Sequence, residues 1–137
     1  MTMALGDQIG HDTGQITGTR ILPGESGEPK VEVSFEARGH LLNEEITDMG
    51  TYVSRRRPDG SLYGDGQGVT MTASGETALW KGSGVGKLLR NGATSWRGAI
   101  YFQTESEKLS RLNGIACVFE YEADESGKVE SKTYEWK

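Results

Sequence analysis

The sequence predicts an all-β domain: an eight-stranded antiparallel β-barrel that closes on itself and carries one short helix near residues 105–112. Apolar and polar residues alternate with period two in several short segments, which is typical of strands with one face toward a core. Turn-forming residues separate these segments at short intervals. Glycine is the outlier of the composition, at 20 of 137 residues, and glycine inside strands favours sharp bending.

The composition places residues 1–137 in a single domain and excludes several classes of protein. A net charge of −5 and three prolines indicate a folded chain rather than a disordered one. Cys117 is the single cysteine, so an internal disulfide and a paired-cysteine zinc site are excluded, and a reducing, cytoplasmic location fits best. The N-terminal segment predicts neither a signal peptide nor membrane attachment. With a pI near 5.1, we expect no nucleic acid partner.

The first two strands are predicted over residues 8–22 and 30–41. The two prolines within residues 23–29 disfavour helix and sheet pairing alike, which indicates a loop between them. The second strand has the clearest alternation in the chain, with polar residues on its other face. Its predicted inward residues are Val31, Val33, Phe35, Ala37, Gly39 and Leu41.

Six further strands follow along the chain. They are predicted over residues 45–56, 62–71, 77–89, 95–104, 115–123 and 129–136. Pro58-Asp59-Gly60 suits a tight turn, and Asn91-Gly92 is a strong hairpin signal. Between the sixth and seventh strands the period changes: Thr104 and Glu107 have the spacing of a helix-capping box. Leu109 and Leu112 lie three residues apart before Asn113-Gly114, a left-handed stop, so we predict the helix over 105–112.

Glycines favour a barrel over a two-sheet sandwich. Three lie on one face of the fourth strand and three on one face of the fifth: Gly64, Gly66, Gly68, Gly82, Gly84 and Gly86. A stripe without side chains on two neighbouring strands suits the tight corners of a small barrel. Two other interpretations stay open, namely that these glycines mark bulges or that they thin the wall of a cavity.

Candidate ligand-binding residues lie on the third, sixth and seventh strands. Arg97 and Tyr101 share one face of the sixth strand, and Tyr52 comes from the third. If that face points inward, the three side chains suit a carboxylate or an enol oxygen; if it points outward, they are surface groups. Large inward candidates are Phe35, Trp96, Ile100, Phe102, Phe119 and Tyr121, of which Trp96, Phe102 and Phe119 are candidate ligand contacts.

Other motifs do not predict a site. The glycine-rich segment 81–87 lacks the spacing and the following helix of a phosphate-binding loop. His11 and His40 stand without neighbouring ligand residues, so we predict no metal and no cofactor. Cys117 lies among apolar residues, so we predict an unreactive, buried thiol. The acids from Glu44 to Asp48 read as solvated groups at a strand entry, and the catalytic residues, if any, are unknown.

Five short motifs resemble those of the allene oxide cyclase-like and dirigent-like small β-barrels, particularly their small bacterial members. The motifs are Gly64–Gly68, Gly82–Lys87, Trp96-Arg97-Gly98, Lys108–Gly114 and Phe119-Glu120-Tyr121. The resemblance implies a calycin-type, lipocalin-like barrel with an apolar interior that is often oligomeric. Some members of the group cyclise reactive unsaturated intermediates by holding them in one shape, while many have no known reaction. No catalytic residue of the group matches a position here.

Three functions follow as hypotheses. The first is binding of a small hydrophobic or amphipathic metabolite inside the barrel. The second is a cyclase or isomerase that holds a reactive unsaturated intermediate in one conformation. The third is a plugged barrel that acts only through contacts between copies, since an eight-stranded barrel is just wide enough to fill or to hold one small ligand. We expect a homo-oligomer in each case.

Overall fold

The structure, a computed structural model, describes residues 5–137 and contains eight strands. The first four residues, part of the segment in which we predict no signal peptide, lie outside the described range. The strands are β1 (Leu5–Leu22), β2 (Lys30–Leu41), β3 (Glu44–Arg56), β4 (Leu62–Thr72), β5 (Thr77–Leu88), β6 (Thr94–Thr104), β7 (Ala116–Ala123) and β8 (Lys128–Trp136).

Each strand pairs antiparallel with the next one in sequence, and β8 pairs with β1. The sheet is therefore a closed barrel, and the predicted fold class is confirmed. The predicted strands agree closely with the observed ones; the largest difference is at the start of β1. Register shifts in β1, at Ile16 to Gly18 and near Gln8, let this long strand bend around the barrel. Across residues 5–137, no helix has the length and apolar character needed to cross a membrane.

Alternate residues of each strand point into the barrel. In β2, Phe35, Ala37 and Leu41 are buried whereas Glu36 and Arg38 are exposed, as the alternation predicts. The large side chains predicted to face inward all pack in the interior: Phe35, Trp96, Ile100, Phe102, Phe119 and Tyr121. Aromatic rings therefore fill much of the space between the strands.

Glycines in the barrel wall leave space for these aromatic rings. A Cβ atom at Gly68 would lie 2.4 Å from the indole of Trp80, and one at Gly86 would lie 2.7 Å from the indole of Trp96. The two indoles thus lie directly on bare backbone. The strands β4 and β5 pair without any register shift. The interpretation of their glycines as bulges is therefore wrong: they make the wall thin enough for large rings to pack against it.

The short helix predicted near residues 105–112 is present, but it is a 3₁₀ helix and it begins later than predicted. The segment begins as a loop and ends in a short 3₁₀ helix over Ser110–Gly114. The Thr104 hydroxyl accepts the backbone N–H of Ser106 at 3.0 Å, one residue short of the bond that a capping box requires. The predicted left-handed stop is wrong, because neither Asn113 nor Gly114 has a positive φ.

This 3₁₀ helix closes one end of the barrel. Side chains three residues apart eclipse one another in 3₁₀ geometry, so Leu109 and Leu112 point the same way. Both are fully buried, at 0% exposure, and they pack with Leu41, Ile46 and Cys117. The two leucines therefore form a stopper at this end, which we call the leucine plug.

Replacing Leu112 by alanine is expected to lower the free energy of unfolding by about 2–5 kcal/mol, because it removes a fully buried side chain and leaves a cavity. Leu79→Ala is the matched control, since Leu79 is 54% exposed on the outer wall. Urea unfolding at constant m-value measures both changes. Equal effects of the two substitutions would show that Leu112 does not seal the barrel.

Candidate functional site

The barrel encloses a cavity of about 90 Å³. A cavity needs roughly 10–15 Å³ to hold one water molecule, so this one has room for several waters or one small organic molecule. Seven phenylalanine, tyrosine and tryptophan rings line it: Phe35, Tyr52, Trp80, Trp96, Phe102, Phe119 and Tyr121. The space is smaller than the ~300 Å³ of a drug-sized pocket, and the ligand it fits is correspondingly small.

The aromatic rings contact one another in tilted and edge-to-face pairs. Tyr121 lies 5.5 Å, centroid to centroid, from both Phe35 and Tyr52, and Tyr52 lies 5.9 Å from Trp96. Phe35 also stacks on Trp80 at 6.3 Å. These spacings lie within the favourable range for aromatic pairs. These five rings therefore form one connected wall.

Two aspartates reach the same interior from strands that are not neighbours. Asp12 of β1 pairs in register with Gly39 of β2, and Asp48 of β3 pairs with Ala37. Because β2 carries only a hydrogen and a methyl group at these positions, the two carboxyl groups meet across it and share a hydrogen bond. A Cβ atom at Gly39 would lie 2.8 Å from the Cβ of Asp12. We call Asp12 and Asp48 the carboxyl pair.

Neutral donors hold Asp48, one member of the carboxyl pair. Asp48 Oδ1 accepts a 2.8 Å hydrogen bond from Trp80 Nε1 and a 3.3 Å bond from the Thr70 hydroxyl. Asp12 and Thr70 are buried, while Asp48 as a residue stays partly accessible. Among the described residues, no ion pair includes either carboxyl, and no lysine or arginine lines the cavity.

Burial of the pair disfavours its ionisation. Desolvation, then the charge and the hydrogen bond of Asp48, raise the pKa of Asp12 to about 8. Desolvation also raises the pKa of Asp48, because it outweighs the hydrogen bonds that Trp80, Asp12 and Thr70 contribute to its charged form. The pair therefore retains a proton at neutral pH, with Asp12 the better placed of the two to hold it.

Tyr121 brings a hydroxyl without a partner to the same cavity. The residue is 7% exposed, and its hydroxyl forms no hydrogen bond of normal geometry with the described residues, although the Tyr52 hydroxyl lies close to it. Burial, with the nearby Tyr52 hydroxyl and then the carboxyl pair, raises the pKa of Tyr121. A buried hydroxyl without a hydrogen bond lowers the stability of the folded state. A ligand in the cavity that forms a hydrogen bond with this hydroxyl would remove that cost.

The structure brings four of the six predicted ligand contacts together. Tyr52, Trp96, Phe102 and Phe119 all line the cavity. Burial also raises the pKa of Tyr52. A role of these four residues in binding stays a prediction.

Arg97 and Tyr101 lie on the outer wall instead. Arg97 is paired with Glu122 at 3.1 Å and with Glu120 at 3.9 Å, and Tyr101 is 56% exposed. The alternation of β6 explains their position, because Trp96, Ile100 and Phe102 take the inward places on that strand. Neither side chain lines the cavity.

Three further sequence interpretations can be compared with the structure. Cys117 is buried, as predicted, and desolvation raises the pKa of its thiol to about 11. His11 faces outward, where its ring contacts Glu130 at 2.8 Å. Within residues 5–137, no three histidine, cysteine or acidic side chains cluster in a way that suits a metal ion.

The carboxyl pair is not predicted from the sequence, because acidic residues in strands usually face solvent. The signal is present in the alternation: Asp12 has the same phase as Gly10 and Ile16, and Asp48 the same phase as Ile46. A charged residue in the apolar phase of a strand is the pattern that marks such a site. Reading Asp48 as a solvated acid is wrong.

Three solved structures are similar to the barrel over nearly the whole chain. A protein of unknown function from Clostridium acetobutylicum ATCC 824 has a TM-score of 0.82 at 13% identity, covering 96% of this chain and 97% of its own. A conserved protein of unknown function from Rhodopseudomonas palustris has a TM-score of 0.79 at 11% identity, with coverages of 98% and 99%. An enzyme from Penicillium herquei has a TM-score of 0.65 at 18% identity, with 98% of each chain covered.

Identities this low show a shared fold and nothing about activity. No protein-family model matches the chain. No curated protein matches it either. The resemblance to the allene oxide cyclase-like barrels therefore stays a prediction, supported in its fold alone.

Proposed function

We propose that this protein binds a small amphipathic molecule inside the barrel, with an apolar body among the aromatic rings and a polar group at the carboxyl pair. One observation carries the proposal: two acids, one buried and one partly accessible, lie in a largely apolar cavity without a cation to compensate them. Such an arrangement costs stability that apolar residues of similar size would not. Polar groups of this kind are typical of binding and catalytic sites.

The size and polarity of the cavity define the ligand. The volume of about 90 Å³ fits a molecule of a few heavy atoms. Aromatic faces favour a compact apolar body, while Asp12, Asp48 and the free hydroxyl of Tyr121 favour one polar end. The ligand class is therefore a short or cyclic amphipathic compound.

Cyclopentanol is a suitable probe, and Trp80 and Trp96 are intrinsic reporters because both indoles line the cavity. Saturable quenching or enhancement of tryptophan fluorescence is expected, with a Kd on the order of 1 mM for a ligand of this size. Gly82→Val is expected to weaken binding at least about tenfold, because its side chain would enter the cavity. At Gly82 the atom nearest an added Cβ is the backbone oxygen of Ala99, at 3.2 Å, so the neighbouring strand must move by a few tenths of an ångström; circular dichroism of the variant checks that the barrel still folds.

Gly18→Val is the matched control, since Gly18 is exposed on the outer wall and an added Cβ meets nothing within 4 Å. It should bind cyclopentanol like the wild type. Absence of saturable binding to the wild type, or unchanged binding to Gly82→Val, would exclude the interior as the site.

A cyclase or isomerase is the second candidate function, and the carboxyl pair is the observation that favours it. Two acids that share one proton, with a phenol nearby, suit general acid–base catalysis. The aromatic wall would hold a reactive unsaturated intermediate in one conformation. Native mass spectrometry of the protein purified from cells separates the candidates: a bound molecule that stays unchanged on incubation favours binding, and one that is converted favours catalysis.

The third candidate, a plugged barrel that acts through contacts between copies, is favoured by the aromatic filling of the interior and by the leucine plug. An empty protein in native mass spectra, together with no response to cyclopentanol, would support it. A homo-oligomer stays a prediction under all three.

A further inference from the structure

The cavity has acceptors for a cation and no cation of its own. The carboxylate oxygens of Asp12 and Asp48 and the unpaired hydroxyl of Tyr121 all face it. No lysine or arginine among the described residues lines it. An anion buried without a cation is destabilising, and a ligand that brings positive charge removes that cost. A neutral alcohol forms hydrogen bonds with the same atoms but leaves the charge uncompensated.

The aromatic wall favours the same class of ligand. Ring faces attract cations, and the attraction is strongest where water is excluded. Trp80 links the two features, because its indole donates to Asp48 while its ring stacks on Phe35. A cationic head at the carboxyl pair thus has ring carbon around it and oxygen acceptors in front of it.

Other titratable groups near the cavity do not supply the missing charge. His11 of β1 contacts Glu130 on the outside, and His40 of β2 is exposed. Asp65 of β4 is exposed and is an acid as well. Tyr52 of β3 and Tyr121 of β7 stay neutral because burial raises the pKa of both. The lining residues of β5, β6 and β8 carry no titratable group.

From these observations we infer that the cavity selects a small organic cation, a protonated amine, whose ammonium group binds between the carboxyl pair and the Tyr121 hydroxyl. The inference rests on the proposed binding function and names the chemical class of its ligand. An ammonium group offers three N–H donors, and the site offers three acceptor groups: Asp12, Asp48 and Tyr121. The amine's hydrocarbon part then lies among the rings.

Cyclopentylamine and cyclopentanol test the inference, because the two probes have the same shape and differ in charge. At pH 7 the amine is expected to bind about tenfold more tightly than the alcohol, measured by tryptophan fluorescence. Raising the pH from 6 to 8 ionises a growing share of Asp12, whose pKa is about 8, and should tighten binding of the amine. Binding of the alcohol should stay constant over the same range.

Asp48→Asn should remove the preference for the amine, so that the amine and the alcohol bind to the variant with affinities within about twofold of each other. The asparagine oxygen still accepts from Trp80 Nε1, so the wall keeps its geometry. Glu45→Gln is the control for net charge, since Glu45 is an exposed acid on the same strand. If Asp48→Asn does not fold, Asp12→Asn answers the same question.

The possible results are distinct. Alcohol binding that equals or exceeds amine binding overturns the inference and leaves the proposed function standing. Amine preference that survives both aspartate substitutions also overturns it, because the charge would then lie elsewhere. Failure of both probes to bind overturns the inference together with the proposed function.

Discussion

Gly98→Ala is expected to destabilise the barrel strongly, although the substitution adds only one methyl group. A Cβ atom at Gly98 would lie 2.0 Å from the carbonyl oxygen of Ser83 and 2.6 Å from the Cα of Gly84. Both atoms belong to the backbone of β5, which pairs with β6 at this point. Relief therefore requires the two strands to separate. We expect a loss of about 3–5 kcal/mol in the free energy of unfolding.

Thermal unfolding measures this effect, with an expected fall in Tm of roughly 10–20 °C. Gly18→Ala is the control, because nothing lies within 4 Å of an added Cβ there. Restricting the unfolded chain at such a position stabilises by about 0.4–1 kcal/mol. A mild effect of Gly98→Ala, similar in size to that of Gly18→Ala, would mean that the strands do not approach as closely as described.

The stability of the protein is expected to fall as the pH rises from about 4 to about 8. The folded state holds the pKa of Asp12 near 8, whereas the unfolded chain has the ordinary value of 3.8. Below pH 3.8 both states are protonated and Asp12 makes no difference. Between the two values the unfolded state releases its proton first, so unfolding becomes progressively easier, and above pH 8 the effect levels off. The raised pKa of Asp48 acts in the same direction.

Urea midpoints at pH 5, 6.5 and 8 measure this dependence, which should amount to a few kcal/mol in all. Asp12→Asn should flatten the profile, because an asparagine amide donates to Asp48 at every pH. Asp59→Asn is the control: hydrogen bonds from Ser61 lower the pKa of that exposed carboxyl, so it titrates below the range tested. A profile that stays steep in Asp12→Asn would place the responsible group elsewhere.

Most of the fold could be predicted from the sequence because period-two alternation and turn residues are local signals. Gly60 and Gly75 show this well, since each completes a tight turn with a φ of 89°. The short helix predicted near 105–112 differs from the prediction in its type and in its start, for a reason that is not local. Leu109 and Leu112 are held by the barrel end that they seal, and this packing selects a 3₁₀ helix.

The site is harder to predict than the fold. Aromatic residues such as Trp96 and Phe119 can be assigned to the interior from the sequence, because they occupy the apolar positions of an alternating strand and their exposure to water would be unfavourable. The contact of Asp12 with Asp48 depends instead on the register of three strands and on the small residues between them. Pairing register across β2 is a property of the closed sheet, and a single sequence does not reveal it.

The seam between β1 and β8 also constrains how the protein is made. β1 leaves the ribosome before β8, so one of its edges has no partner until β8 has been synthesised. Until then the nascent chain presents an unpaired edge on which another polypeptide can add a strand. A cell that produces this protein quickly therefore has reason to shield β1 with a chaperone until synthesis of β8 is complete.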